Sequence, residues 1–456
     1  MAGIGFQLKK MFEPDSWLDN LKAVSYSTTI ASGPVFFSIL CLALLGVFFR
    51  PLMAEANFRI FLISVVYIFA FSLITTGTVQ LLLSRYLADL IYKKEFSSVV
   101  PVLSSSLLLV VTVQGIFGLP FFFLSGTDFL YRLTAFSLFI ILGCIWVVMI
   151  FLSAIKNVRS IVLAFAAGVL ISLVLGIVLG LRYDLTGLLH GYAIGQAVLL
   201  FVLLGRVLAE FRSEQPPDFS FIRFVKVLPQ LVLTGLFFNT GIWIDKMIFW
   251  FGDSGEKLSS FLYHNPDYDS ATFLAWLTTI PAYTYFLVRV ETDFYNQFRS
   301  FFDRILSRKP LDHIVLQRMN IAASMRMSYA GMIKLQGVIT LLCLLFSREI
   351  VAAFGLYPIS SLIFEKVVIA VFLQMLLLTT FIFMMYFDIR TELVLVAGVF
   401  LLSNATLSWL SLGLDYRFYG YGFLAANFIA LAFAWYFLDK HVQELEFRTF
   451  VQQPLG

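Results

Sequence analysis

Asp245 and Lys246 stand side by side in GIWIDKMIFW (residues 241–250), inside an apolar run that reaches from near Phe224 to near Phe251. A charge within a lipid-spanning segment costs roughly 2.5–3.5 kcal/mol on insertion scales, so such residues mark a pathway or a partner. At about 100° per residue, Gly235, Asn239 and Lys246 share one helical face, with Gly241 and Asp245 beside it. A narrow polar stripe of this kind either faces a water-filled cavity or packs on another helix, with Lys246 snorkelling outward. A second cluster, VRVETDFY (288–295), alternates Arg289, Glu291 and Asp293 with apolar residues. On a continuous helix Arg289 and Asp293 form an i, i+4 ion pair. The set suits either the membrane–water boundary or a cytoplasmic gate. Just upstream lie Thr278, Thr279, Pro281, Tyr283, Thr284 and Tyr285. Pro281 is expected to bend that helix and free a carbonyl. Tyrosine rings suit a sugar, which offers an apolar C–H face and a hydroxyl rim, but they suit ordinary packing equally. SYSTTIASGP (25–34) sets Tyr26 in another bent, hydroxyl-rich helix near the start of the chain.

The composition says what must position these residues. Of 456 residues, 60% are hydrophobic and 13% charged, against about 25% charged in soluble domains, so lipid is the solvent for most of the surface. The apolar runs are roughly 20 residues long, the length of a membrane-crossing helix rather than of a barrel strand. The net charge of +4 is modest and does not point to nucleic acid. Cys41, Cys144 and Cys343 all fall inside apolar runs and imply neither a disulfide framework nor a metal site. The four histidines are scattered, and the sequence carries no phosphate-binding GxxxxGK[ST] loop, HExxH or paired CxxC motif. An enzyme reading therefore has no motif, and no cofactor is implied. Asp245 is the only carboxylate well within a predicted span, which weighs against a proton or sodium relay.

A 20-residue template predicts an all-α, polytopic membrane protein of about 12 transmembrane helices in two pseudo-symmetric six-helix bundles. The spans are 24–49, 59–83, 98–124, 130–154, 160–181, 186–208, 226–250, 271–291, 327–347, 366–387, 392–412 and 419–438. Residues 1–23 read as an amphipathic segment on the cytoplasmic face, not a signal peptide. The predicted organisation is a first bundle at 24–208, a linker at 209–225 containing Pro216-Pro217, a second bundle at 226–438 and a tail at 439–456. Basic residues crowd the loops that share a side with the N-terminus, among them Lys93, Lys94, Arg299, Arg308 and Lys440. Arg132, Lys257, Lys366 and Arg417 belong to the sparser opposite side. The bias predicts that both termini are cytoplasmic.

The two halves also share a pattern. The second span leaves the membrane as RYLADLIYKK, with Arg85, Asp89 and Lys94; the eighth leaves as RSFFDRILSRK, with Arg299, Asp303 and Arg308. Arg, Asp four on, and a basic residue five further on recur at the same place, as expected for a transporter built from repeats. Arg85, Lys94, Arg299 and Arg308 are the candidates for docking a cytosolic partner.

SGPVFFSIL in the first span, GIWIDKMIFW in the seventh, RVETDFYNQFRSFFDRI at the eighth and the opening MAGIGFQLKK resemble the PelG family over essentially the whole length. The resemblance implies an inner-membrane exporter of a growing N-acetylhexosamine-rich exopolysaccharide, in the polysaccharide branch of the multidrug/oligosaccharidyl-lipid/polysaccharide exporter superfamily. It also implies partners: a cytosolic glycosyltransferase (PelF), a cyclic-di-GMP receptor (PelD) and a small membrane protein (PelE). No catalytic residues are carried over from it. The polymer is expected to thread between the two halves. The rival readings are a flippase for lipid-linked oligosaccharide, an ion-coupled antiporter of the same superfamily, and a membrane scaffold for the glycosyltransferase.

Overall fold

The computed structural model describes residues 37–38, 40–49, 51–123, 128–153, 158–259 and 262–451. Tyr26 and the amphipathic segment 1–23 lie outside the described residues. Backbone N–H and C=O groups have no water partner in lipid, so a chain this apolar satisfies them within helices. Among the described residues ten helical segments are long and apolar enough to cross a membrane. One of them, Val158–Glu210, holds two predicted spans that meet at Tyr183 and Asp184, where the backbone leaves the helix. Asp184 has a left-handed φ of 51°, and Asn57 Nδ2 donates to its carboxylate at 2.7 Å. Of the first predicted span, the apolar helix Leu40–Phe49 is described.

Contacts group the chain into two compact units, Ser32–Pro266 and Asp267–Gly456. In the first, the Glu55–Tyr92 helix packs on Phe129–Leu152 and on Pro229–Phe251, the seventh predicted span. The linker explains why this unit continues past it. Asp218 N donates to Pro101 O at 3.1 Å, Ser105 Oγ donates to Asp218 O, and Phe221 is fully buried. The sequence pattern divides the chain at 209–225, whereas packing groups the seventh span with the first half. After that span a short hairpin pairs Glu256–Lys257 with Tyr263–His264.

In the second unit Leu311–Leu345 packs between Glu291–Leu306 and Ile359–Tyr386, and Tyr421–Gln443 packs on both Ile359–Tyr386 and Arg390–Leu412. Leu311–Leu345 starts well before the predicted 327; an apolar template misses its first turns because they carry His313, Arg318 and Arg326 and lack an apolar run. Arg318 anchors the C-terminal turn, with its Nε 2.8 Å from Glu446 Oε1 and its Nη1 donating to Gln443 O at 3.1 Å.

Candidate functional site

The Asp–Lys helix, Pro229–Phe251, meets Glu55–Tyr92 where both lack side chains. A Cβ on Gly235 would overlap the carbonyl of Gly77, and a Cβ on Gly77 would overlap the Asn239 amide. Asn239 Nδ2 donates to Gly235 O at 2.8 Å. The Gly235–Asn239 part of the stripe is therefore a helix-packing face. About two turns further on, Asp245 is 0% exposed and Lys246 6%. Lys246 Nζ donates to Ile242 O at 3.0 Å and lies 3.3 Å from both Asp245 oxygens. It also sits 5.5 Å from the Trp243 ring centroid. The expectation that Lys246 snorkels outward is corrected here: its ammonium turns back toward the helix N-terminus, held by a carbonyl, a carboxylate and an aromatic face.

The last turns of the same helix close on an aromatic stack. Trp250 lies 4.5 Å from Tyr67, ring to ring, and the Tyr67 hydroxyl donates to Tyr263 O at 2.9 Å. The hairpin is thereby fastened to both helices. Glu256 links it sideways, 3.9 Å from Arg59 and 3.4 Å from His264.

In the second unit the segment carrying Tyr283 and Tyr285 is broken rather than smoothly bent. Pro266–Leu277 ends, two turn residues follow, and Ile280–Tyr285 restarts with Pro281 in its first turn. Pro281 has no N–H for the carbonyls below it. The Thr278 and Thr279 hydroxyls donate back to Ala275 O and Trp276 O, each at 2.7 Å, beside the backbone N–H groups of the same two residues. Residues Phe286–Val290 then form a π-turn before Glu291–Leu306 resumes the α-helix. The predicted i, i+4 relation of Arg289 and Asp293 presumed a continuous α-helix and is corrected for that reason: an i→i+5 turn holds one residue more than an α-turn, so the helical phase shifts between them. Arg289 is exposed. Both Arg289 and Asp293 come close enough to the Tyr285 hydroxyl to act on it electrostatically. That hydroxyl rests on Gly331 of Leu311–Leu345, where any Cβ would overlap it. Tyr283 is half-buried. Glu291 begins the resumed helix.

The docking candidates keep the repeated geometry. Arg85 Nε is 3.6 Å from Asp89, and Arg299 Nε is 3.6 Å from Asp303. Lys94 and Arg308 then each adopt a left-handed conformation, φ 62° and 52°. Glu95 N donates to Leu90 O at 2.9 Å and Lys309 N to Arg304 O at 3.1 Å; Lys94 N and Arg308 N donate three residues back. Both helices thus end in the same Schellman cap with an exposed basic residue where glycine is usual.

Residues 1–450 match the family model PelG, described as "Putative exopolysaccharide Exporter (EPS-E)". The chain belongs to the PelG family. Solved structures of similar fold include a MOP superfamily transporter from Pyrococcus furiosus Vc1, with 10% identity, TM-score 0.65, and coverage of 93% of this chain and 96% of that one. A Vibrio cholerae MATE transporter VcmN variant shares 13% identity at TM-score 0.64, covering 96% and 98%. An outward-facing multidrug resistance MATE family transporter shares 11% at 0.63, covering 93% and 96%. Among curated proteins none matches. This PelG-family chain is therefore a multi-pass, all-α membrane transporter with the fold of the MOP superfamily.

Three positioning residues escaped the sequence reading: Gly77, Gly331 and Tyr67. A helix-interior glycine with no evident turn role was the only available sign for the first two. Nothing local singled out Tyr67.

Proposed function

We propose that this protein exports a growing N-acetylhexosamine-rich exopolysaccharide (Pel) across the cytoplasmic membrane for the biofilm matrix. The single observation carrying this reading is the match of residues 1–450 to an exopolysaccharide exporter family. The transporter-type fold supports it. In this reading both termini are cytoplasmic, the chain comprises two six-helix halves, and the exposed caps at Lys94 and Arg308, with Arg85 and Arg299, dock the glycosyltransferase PelF. PelD and PelE complete the assembly. Neutral sugar calls for aromatic faces and hydroxyls, which the Tyr283–Tyr285 segment supplies. Asp245 and Lys246 keep their charges occupied by each other and by the backbone, a structural service to the pathway rather than sugar binding.

The test is reconstitution in sealed vesicles with the glycosyltransferase and its sugar nucleotide outside. Export predicts labelled polymer protected inside, dependent on this protein. Polymer that stays outside and degradable, with the glycosyltransferase still bound, would establish the scaffold reading instead.

A further inference from the structure

The second unit carries a recess of about 640 Å³ at the end opposite Arg299 and Arg308. Leu311–Leu345 ends there, Ile359–Tyr386 begins there, and Tyr421–Gln443 starts beside it. Its walls are aliphatic: Leu344, Leu362, Ile369 and Leu424. Its charged lining is Lys366, Arg417 and Glu365, with the Tyr416 and Tyr421 side chains beside them; Asp415 acts on Arg417 from the rim. Ser347 Oγ donates to Glu365 Oε1 at 2.7 Å, which occupies part of the negative charge.

The sequence builds this arrangement through one glycine. Gly420 has φ +92°, and a Cβ there would press on Lys366 Cβ and Val367 Cγ2 at 3.2 Å. Only glycine allows both the left-handed turn and the close approach. The loop is thereby held on the Lys366 turn, with the Tyr421 ring centroid 5.2 Å from Lys366 Nζ and Arg417 at the rim. Lys366 lies seven residues into its helix, about 10 Å from the helix start. Its Nζ donates to Leu362 O at 2.6 Å, so the ammonium is turned back toward that end. The surrounding surface is an interfacial one: Trp409, Tyr416, Phe418 and Tyr421 are exposed near the helix ends, and Leu341 and Leu345 are exposed along the neighbouring helix.

We propose that this recess binds an anionic phospholipid, its phosphate between Lys366 and Arg417 and an acyl chain along Leu344, Leu362, Ile369 and Leu424. Charge complementarity selects the headgroup, and four aliphatic walls offer a chain no hydrogen bond. A saccharide fits less well, because the Tyr421 face is already covered by the Lys366 ammonium. The proposal rests on the membrane fold and not on the exported substrate.

The experiment uses the full chain in nanodiscs of mixed phosphatidylglycerol and phosphatidylcholine, with retained lipid counted by native mass spectrometry. The wild type should retain phosphatidylglycerol preferentially. Lys366→Gln with Arg417→Gln should weaken that retention roughly thirtyfold, and Lys366→Arg should keep it. Leu424→Trp, which fills the recess and leaves both cations, should also lose it. Unchanged unfolding midpoints in pure phosphatidylcholine show that the variants fold. Equal retention of the two lipids by the wild type, or undiminished retention by the double variant, would overturn the proposal. So would stabilisation by inorganic phosphate equal to that by phosphatidylglycerol, or by an N-acetylglucosamine tetramer that needs Lys366 and Arg417.

Discussion

Gly77 and Gly235 meet backbone to backbone where Glu55–Tyr92 crosses Pro229–Phe251. Close approach through small residues is how helices associate in lipid, where apolar burial gives no drive. Gly235→Leu should destabilise the protein by about 1–3 kcal/mol by overpacking, read as a lowered unfolding midpoint in detergent. An unchanged midpoint would mean the helices do not cross there.

Asp245 and Lys246 are buried beside each other, 3.3 Å apart, so removing either takes one charged partner from the other. Asp245→Asn or Lys246→Met alone should cost about 3–5 kcal/mol, and the double variant should recover most of it. Secreted polymer at matched membrane abundance should follow stability. A stable double variant that still fails to secrete would give the pair a direct part in transport.

Lys94 and Arg308 hold a conformation that costs an L-residue about 1–2 kcal/mol. Lys94→Gly and Arg308→Gly should therefore each leave stability unchanged or raise it by up to about 1 kcal/mol. Binding of the glycosyltransferase should nevertheless weaken, measured by co-purification. Full binding by the double glycine variant would remove these caps from the docking surface.

The Tyr285 hydroxyl occupies the space a side chain at Gly331 would need. Gly331→Ala should destabilise by about 1–3 kcal/mol, and adding Tyr285→Phe should restore part of the loss. Strict additivity in this double-mutant cycle would argue against the contact.

His264 in the hairpin has its pKa lowered from 6.5, first by burial and then by Arg59, with Glu256 opposing. The neutral imidazole is the form the fold favours. Its contribution is complete above pH 6.5 and is lost as pH falls through that value toward the depressed folded pKa. Hydrogen-exchange protection around His264, taken relative to the intrinsic rate at each pH, should fall on acidification, and His264→Gln should flatten that dependence. Protection that does not change with pH in the wild type would contradict the assignment.

The sequence by itself determined the helical class, the place of most membrane-length helices, and the repeat that ends at Lys94 and Arg308. These are local properties: lipid compels every backbone group into a helix, and 20 apolar residues measure one crossing. It also located the charges of GIWIDKMIFW and VRVETDFY. Only the tertiary structure decided what those residues face. Gly235 and Asn239 pack on Gly77, Lys246 turns inward to Ile242 and Asp245, and a π-turn takes Arg289 out of phase with Asp293. A helical wheel states an angle, but the partner at that angle lies about 160 residues away for Gly235. The same holds for the Lys366 recess, whose two cations lie 51 residues apart in sequence and line one recess only because the turn at Gly420 packs on the Lys366 helix.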